Sequence, residues 1–126
     1  MMKPEVYRNY NEFSALVVNT LLDMVRRTKG SVVTFNPKKV AVLAGIDTHP
    51  VVLTLVKDVI ERLREKGLVT VFGRSKHGIK YAVHKESPLW SLAKEGFSVS
   101  PSNPFDFDNL LLKVRVRGRF KSQATY

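Results

Sequence analysis

The sequence predicts one α+β domain that is mainly helical and carries a basic β-hairpin and a basic C-terminal extension. Apolar residues recur at steps of three and four over residues 11–28 and 50–66, the spacing of helices that bury one face. Short runs of β-branched and aromatic residues at 31–35, 68–72 and 79–84 have the composition of strands. A chain of 126 residues can build one core, but not two well-buried domains and a linker.

The first helix is predicted over residues 11–28, and the brief strand 31–35 follows it. Arg26, Arg27 and Lys29 stand near the end of this helix, just before Gly30. Cations are favourable there because the carboxyl end of a helix carries the negative end of its dipole, and glycine commonly terminates helices.

The second helix is predicted over Pro37–Ala44. Asn36 is a suitable N-cap, Pro37 suits the first helical position, and Gly45 ends the helix. We expect three of its side chains to face inward: Val40, Leu43 and Ala44.

The third helix is predicted over residues 50–66, with Asp47 or Thr48 as its N-cap and Pro50 in its first turn. Gly67 closes it. Its apolar stripe consists of Val52, Leu55, Val56, Val59, Ile60 and Leu63.

A hairpin follows, in which strands 68–72 and 79–84 flank a turn at 73–78 that is rich in glycine and cations.

A short helix is predicted within residues 86–96. Its Trp90 and Leu92 are expected to fill the core against the hairpin or the first helix, with a dimer contact as the alternative. Residues 98–109 are rich in Ser, Pro, Asn and Asp and predict an irregular connection. The predicted division is therefore a domain at 11–96 and an extension at 97–126.

Positive charge is the most informative part of the composition. The chain has 21 Lys and Arg against 11 Asp and Glu, a net charge of +10. Residues 74–85 hold four cations and residues 113–121 hold five, and neither stretch contains an acid. A surplus concentrated in this way predicts a polyanionic partner.

The second basic stretch alternates strictly, which in a strand places all its cations on one face about 6–7 Å apart. That spacing is close to the separation of successive phosphates along a nucleic-acid strand. The alternative is a strand whose basic face is only solvated. The cations are Lys113, Arg115, Arg117, Arg119 and Lys121.

The order of these elements resembles the winged helix-turn-helix family. The residues that carry the resemblance are Pro37–Ala44, the turn at Gly45 and Ile46, residues 50–66, the junction 63–69 and the hairpin tip 73–78. The resemblance covers residues 11–85. It implies that the third helix enters the major groove of DNA while the hairpin, as the wing, contacts the backbone or minor groove, as in a small archaeal-type DNA-binding protein.

The predicted nucleic-acid contacts combine the helix-turn-helix, the wing and the extension. Few side chains of the third helix can read bases, and Asp58, Glu61 and Glu65 on it would repel phosphates, so recognition is expected to depend on charge and shape with little sequence specificity. The contacts expected in addition to the five cations of the extension are Lys38, Lys39, Thr48, His49, Thr54, Lys57, Arg74, Lys76, His77 and Lys80.

Catalysis, metal binding and cofactor binding are not expected. The chain contains no cysteine, and His49, His77 and His84 lack the spacing of a metal cluster. Asp106 and Asp108 have no third acid beside them, and no glycine-rich phosphate loop or nucleophile constellation is present. No signal peptide and no apolar run long enough to cross a bilayer is found, so a cytoplasmic protein is expected.

Three functions are compatible with the sequence. The first is duplex DNA binding by a transcription regulator or chromatin-type factor. The second is an RNA-binding or ribosome-associated protein, which the arginine-rich extension would suit. The third is a protein-interaction module of replication or transcription machinery, in which Val51, Leu53 and the Trp90 region form an apolar contact. A homodimer or protein complex is possible in each case.

Overall fold

The computed structural model describes residues 10–107, which form four helices and a three-stranded antiparallel sheet. This α+β architecture is the one that the sequence predicts. The elements, in chain order, are α1 (Tyr10–Arg27), β1 (Val32–Phe35), α2 (Pro37–Ala44), α3 (Pro50–Glu65), β2 (Thr70–Ser75), β3 (Gly78–His84) and α4 (Pro88–Lys94).

Helix α1 lies at the centre of the core and packs against α2, α3 and α4. It buries more than one narrow stripe, since Val17, Val18, Leu21 and Leu22 are all inaccessible to solvent. Neighbours on several sides explain this burial, because a helix surrounded by other elements must be apolar over most of its circumference. None of the helices within residues 10–107 is long and apolar enough to cross a membrane.

Helix α2 has the predicted bounds. The Asn36 side chain accepts a hydrogen bond from the Lys39 backbone N–H at 2.7 Å, and Gly45 ends the helix with a φ of 74°. The prediction that Leu43 faces inward is wrong, since this side chain is 57% exposed while Ala41 is buried. Residues 40, 41 and 44 share one face of the helix, and Leu43 lies to one side of that face.

Helix α3 begins at Pro50 as predicted, but neither Asp47 nor Thr48 caps it. The N-cap residue is His49, whose side chain makes no capping bond, and the Asp47 carboxylate accepts a hydrogen bond from the His49 backbone N–H at 3.1 Å. The acid therefore stabilises the turn before the helix instead of its first N–H groups. The predicted apolar stripe is confirmed. Four of its side chains are fully buried and two are half-buried: Val56, Val59, Ile60 and Leu63, and Val52 and Leu55.

The sheet has the strand order β1–β3–β2. Phe35 lies opposite Tyr81 in the register, and their rings stack with centroids 6.0 Å apart. Both side chains are buried, which identifies the face of the sheet that packs on the helices. Alternation along β3 then assigns Ile79 and Val83 to this inner face and Lys80 to the outer face.

The hairpin is tighter than predicted. Only Lys76 and His77 connect β2 to β3, so half of the segment predicted as a turn, residues 73–75, belongs to β2. Residues 68 and 69, predicted to begin the strand, are buried but precede it. Their apolar character reflects burial in the core and not strand pairing, and composition alone does not distinguish the two.

The end of the described chain packs on α1. Leu92 of α4 is fully buried and Trp90 half-buried, and α4 lies against α1, as the core-filling prediction requires. The irregular segment that follows also enters the core through Val99 and Phe107. The side chain of Asn19 on α1 donates to the Val99 carbonyl at 3.1 Å and accepts from its N–H at 2.8 Å. The predicted domain boundary at residue 96 stays a prediction.

Candidate nucleic-acid interface

A groove of about 380 Å³ lies where the start of α2, the first half of α3 and the tip of the β2–β3 hairpin meet. Four of the predicted contact residues line it: Lys38, Thr54, Lys57 and His77. They come from three elements separated along the chain. We call this feature the basic groove. Its other lining residues are Asn36, Pro37, Leu53, Gly78, Ile79 and Tyr81.

Local structure sets the position of each polar side chain in the basic groove. The Asn36 cap fixes the first turn of α2, which carries Lys38. Thr54 and Lys57 lie three residues apart on α3 and therefore share one face of that helix. The two-residue hairpin turn brings His77 to the rim.

The floor of the basic groove is apolar, and the sequence did not predict it. Leu53, Ile79 and Tyr81 contribute to it together with Pro37. Alternation along β3 is a signal for the inner face of that strand, but it gives no indication that this face meets α2 and α3 at a groove. An apolar floor beneath a cationic rim gives each ammonium group a surface of low dielectric constant, which strengthens its field.

No acidic side chain lines the basic groove in the described part of the chain. Lys38 and Lys57 are both exposed, and neither takes part in the ion pairs found within residues 10–107. The rim therefore carries two ammonium groups without an ion-pair partner among residues 10–107.

Glu61, the acid one turn beyond Lys57, is held by two other groups. Its carboxylate accepts a hydrogen bond from the Tyr81 hydroxyl at 2.6 Å and pairs with the Arg64 guanidinium at 2.8 Å. The bond from Arg64, and after it the bond from Tyr81, lowers the pKa of Glu61, with a smaller contribution from Lys57. Burial, followed by the bond to Glu61, raises the pKa of the Tyr81 phenol. The negative charge of Glu61 is thus compensated mainly by Arg64 and Tyr81.

Asp58 is compensated in a similar way. It accepts a hydrogen bond from the Tyr10 hydroxyl and lies 3.9 Å from the Arg62 guanidinium. Burial, followed by this bond, raises the pKa of Tyr10. Two of the three α3 acids that were expected to repel phosphates are therefore each paired with a tyrosine and an arginine.

A β-bulge divides the hairpin cations between two faces. The register pairs Val71 with Tyr81 and then Gly73 with Lys80, so Phe72 is an extra residue in β2. Beyond the bulge, Arg74 pairs with Ile79 and shares the inner face with it, and its charge acts on the Tyr81 phenol. Lys80 lies on the outer face, as does Phe72, whose side chain is 58% exposed.

Comparison with protein-family models, curated proteins and solved structures finds no match. The relation to winged helix-turn-helix proteins therefore rests on the order of elements and stays a prediction.

The remaining predicted contacts lie outside the basic groove. Thr48 and His49 line a separate concavity at the α2–α3 turn, where His49 is 3.5 Å from the Asp47 carboxylate. Lys39 is exposed on α2 next to Lys38, and Lys76 is exposed at the hairpin tip. The described residues do not include Asp108 or the five cations of the extension, which are Lys113, Arg115, Arg117, Arg119 and Lys121.

Between residues 10 and 107, no three His, Asp or Glu side chains are close enough together to hold a metal ion.

Proposed function

We propose that the chain is a winged-helix protein that binds duplex DNA with low sequence specificity, with the β2–β3 hairpin as its wing. The observation that carries the proposal is the convergence of Lys38, Thr54, Lys57 and His77 on one groove whose lining, among the described residues, contains no acid. A transcription regulator or a chromatin-type factor would use such a surface.

Charge supplies most of the affinity in this proposal. Each Lys or Arg that contacts a phosphate releases condensed counterions from the duplex, and this release favours binding on any sequence. Lys38 and Lys57, which line the same groove, would each contact a phosphate, and Arg74 on the inner face of the hairpin would add a further charge. Base discrimination stays low because α3 presents no Arg, Asn or Gln in its first half, the side chains that form bidentate contacts with purines.

RNA is the second candidate, and the outer face of the hairpin favours it. An exposed phenylalanine next to an ammonium group, here Phe72 and Lys80, can stack on an unpaired base while the cation contacts the adjacent phosphate. Duplex DNA offers no unpaired base to such a pair. The two candidates therefore use different faces of the same hairpin.

The deciding experiment is a salt series of binding to two unrelated DNA duplexes and to a structured RNA, measured by fluorescence anisotropy. The double variant Lys38→Ala/Lys57→Ala is expected to reduce the slope of log K against log salt by up to about 1.8, or about 0.9 for each phosphate that is no longer neutralised. The reduction should be equal on both duplexes. Lys29→Ala/Lys85→Ala removes the same charge from exposed positions outside the basic groove and should change the slope far less.

Further variants separate the parts of the surface. Arg74→Ala/Lys76→Ala is expected to weaken binding about equally on unrelated sequences, and truncation after Asn109 is expected to flatten the salt slope further. Phe72→Ala should weaken only RNA binding. An unchanged slope in Lys38→Ala/Lys57→Ala would show that the basic groove is not the DNA site, and stronger binding of RNA that depends on Phe72 would favour the second candidate.

A further inference from the structure

Val51 is the most exposed large apolar side chain within residues 10–107, with 75% of its surface accessible. It belongs to the first turn of α3. An apolar side chain gains free energy when it leaves water, and Val51 obtains almost none of that gain in the folded chain. A contact with a partner would supply it.

Thr54 lies three residues after Val51 on the same face of α3. Its hydroxyl donates a hydrogen bond to the Pro50 carbonyl at 2.9 Å, so the helix backbone already satisfies that donor. The methyl group and the acceptor lone pairs of the hydroxyl oxygen are the parts of this exposed side chain that remain for a partner. Lys57 lies one step beyond Thr54, about 120° around the helix from Val51. The exposed surface of α3 therefore presents two adjacent methyl-bearing side chains, with an ammonium group to one side of them.

The major groove of B-DNA displays one apolar feature, which is the C5-methyl group of thymine. We propose that Val51 and Thr54 contact this methyl group, so that the protein distinguishes pyrimidines that carry a C5-methyl from those that lack it. The inference rests on the proposed duplex binding and adds a specificity to it. 5-Methylcytosine presents the same group at the same position of the groove and is recognised in the same way.

The surroundings of Val51 favour a base over a protein partner. Thr48 and His49 precede it and are exposed and polar, and Lys57 follows. Apolar surfaces that bind proteins usually extend over several hundred Å². A single exposed valine between polar and cationic neighbours is too small for that, but it is large enough to cover one methyl group.

The test compares two duplexes that differ only in the methyl group. Replacement of thymine by deoxyuridine removes the C5-methyl and keeps every hydrogen-bonding edge of the base pair. The unaltered protein should bind the deoxyuridine duplex about two- to fourfold more weakly for each methyl group contacted. Duplexes in which 5-methylcytosine replaces cytosine should bind more tightly by a similar factor.

Variants at Val51 assign the effect to this side chain. Val51→Ala should bind both duplexes nearly equally, with the salt slope unchanged because no charge is altered. Val51→Thr retains a methyl group and the side-chain shape, so it should keep part of the discrimination. Val42→Ala is the matched control, because Val42 is also a strongly exposed valine, at 59%, but belongs to α2 and not to α3. It should discriminate like the unaltered protein.

Three results would overturn the inference. Equal affinity of the unaltered protein for both duplexes, with normal salt dependence, would refute methyl recognition and leave the proposed function standing. Discrimination that survives in the double variant Val51→Ala/Thr54→Ser, which removes both proposed methyl contacts, would show that another residue reads the methyl. Absence of salt-dependent duplex binding would refute the proposed function itself, and with it this inference.

Discussion

Substitution of Tyr81 by Phe should destabilise the protein by removing one hydrogen bond. The Tyr81 side chain is fully buried, and its hydroxyl donates to the Glu61 carboxylate at 2.6 Å. Phenylalanine keeps the ring that stacks on Phe35 and forms part of the floor of the basic groove. The substitution therefore removes the bond while preserving the packing.

The size of the effect follows from the type of bond and its surroundings. A hydrogen bond to a charged group contributes about 1.5–3 kcal/mol to stability. Glu61 is only half-buried and retains Arg64 as a partner, so in Tyr81→Phe its carboxylate keeps an ion pair and access to water. We therefore expect a decrease of about 1.5 kcal/mol in the free energy of unfolding. For a chain of this size, that corresponds to a fall in Tm of roughly 5–8 °C.

Urea unfolding monitored by circular dichroism measures the decrease in the free energy of unfolding. A double-mutant cycle with Glu61→Ala isolates the contribution of the hydrogen bond between Tyr81 and Glu61. A coupling free energy of about 1 kcal/mol or more is expected. Tyr10→Phe is the control, because its hydroxyl also donates to an acid, Asp58, but at an exposed site, and should cost less. A coupling near zero would refute the reasoning, since the two groups would then act independently.

Three further predictions concern pH and two hydrogen bonds. The pKa of Glu61 is lowered in the folded protein. The ionised carboxylate therefore stabilises the fold fully above the ordinary carboxyl pKa, and this stabilisation is lost as the pH falls through the pKa of the folded state. The difference in stability between the unaltered protein and Tyr81→Phe should accordingly shrink below about pH 4. Asn36→Ala should lower the free energy of unfolding by about 1 kcal/mol in urea, whereas Asn36→Asp should retain the cap. Asn19→Ala should cost about 1–3 kcal/mol and speed hydrogen exchange at the Val99 amide, and unchanged exchange would contradict the contact.

Local chemistry made α2 the most predictable element. A capping side chain, a proline and a glycine fall in order at 36, 37 and 45, and each acts through its own backbone geometry without help from the rest of the fold. The prediction that Leu43 faces inward was wrong because side-chain direction depends on the rest of the fold. In a helix of eight residues, periodicity does not decide which apolar side chain faces inward, and packing against α1 decides it instead.

In the basic groove, too, local features could be predicted from the sequence and the spatial arrangement could not. The sequence could mark the cations of the groove as candidate nucleic-acid contacts, because residue type and local position are visible without the fold. Their convergence was not predictable, because Lys38 and His77 are separated by the whole of α3 and by β2. The turn of the hairpin was predicted to be too long, because Gly73 suggested that it had already begun there. Glycine marks bulges as well as turns, and one sequence gives no criterion to choose between them.

The extra residue in β2 determines which way the arginine of the hairpin is directed. In a regular ladder, Arg74 would alternate to the side of the sheet that carries Lys80, leaving the α3 side without its guanidinium. The bulge therefore keeps one charge on the inner surface of the hairpin, and pairing the same residues without it would transfer that charge to the outer surface while leaving the net charge unaltered.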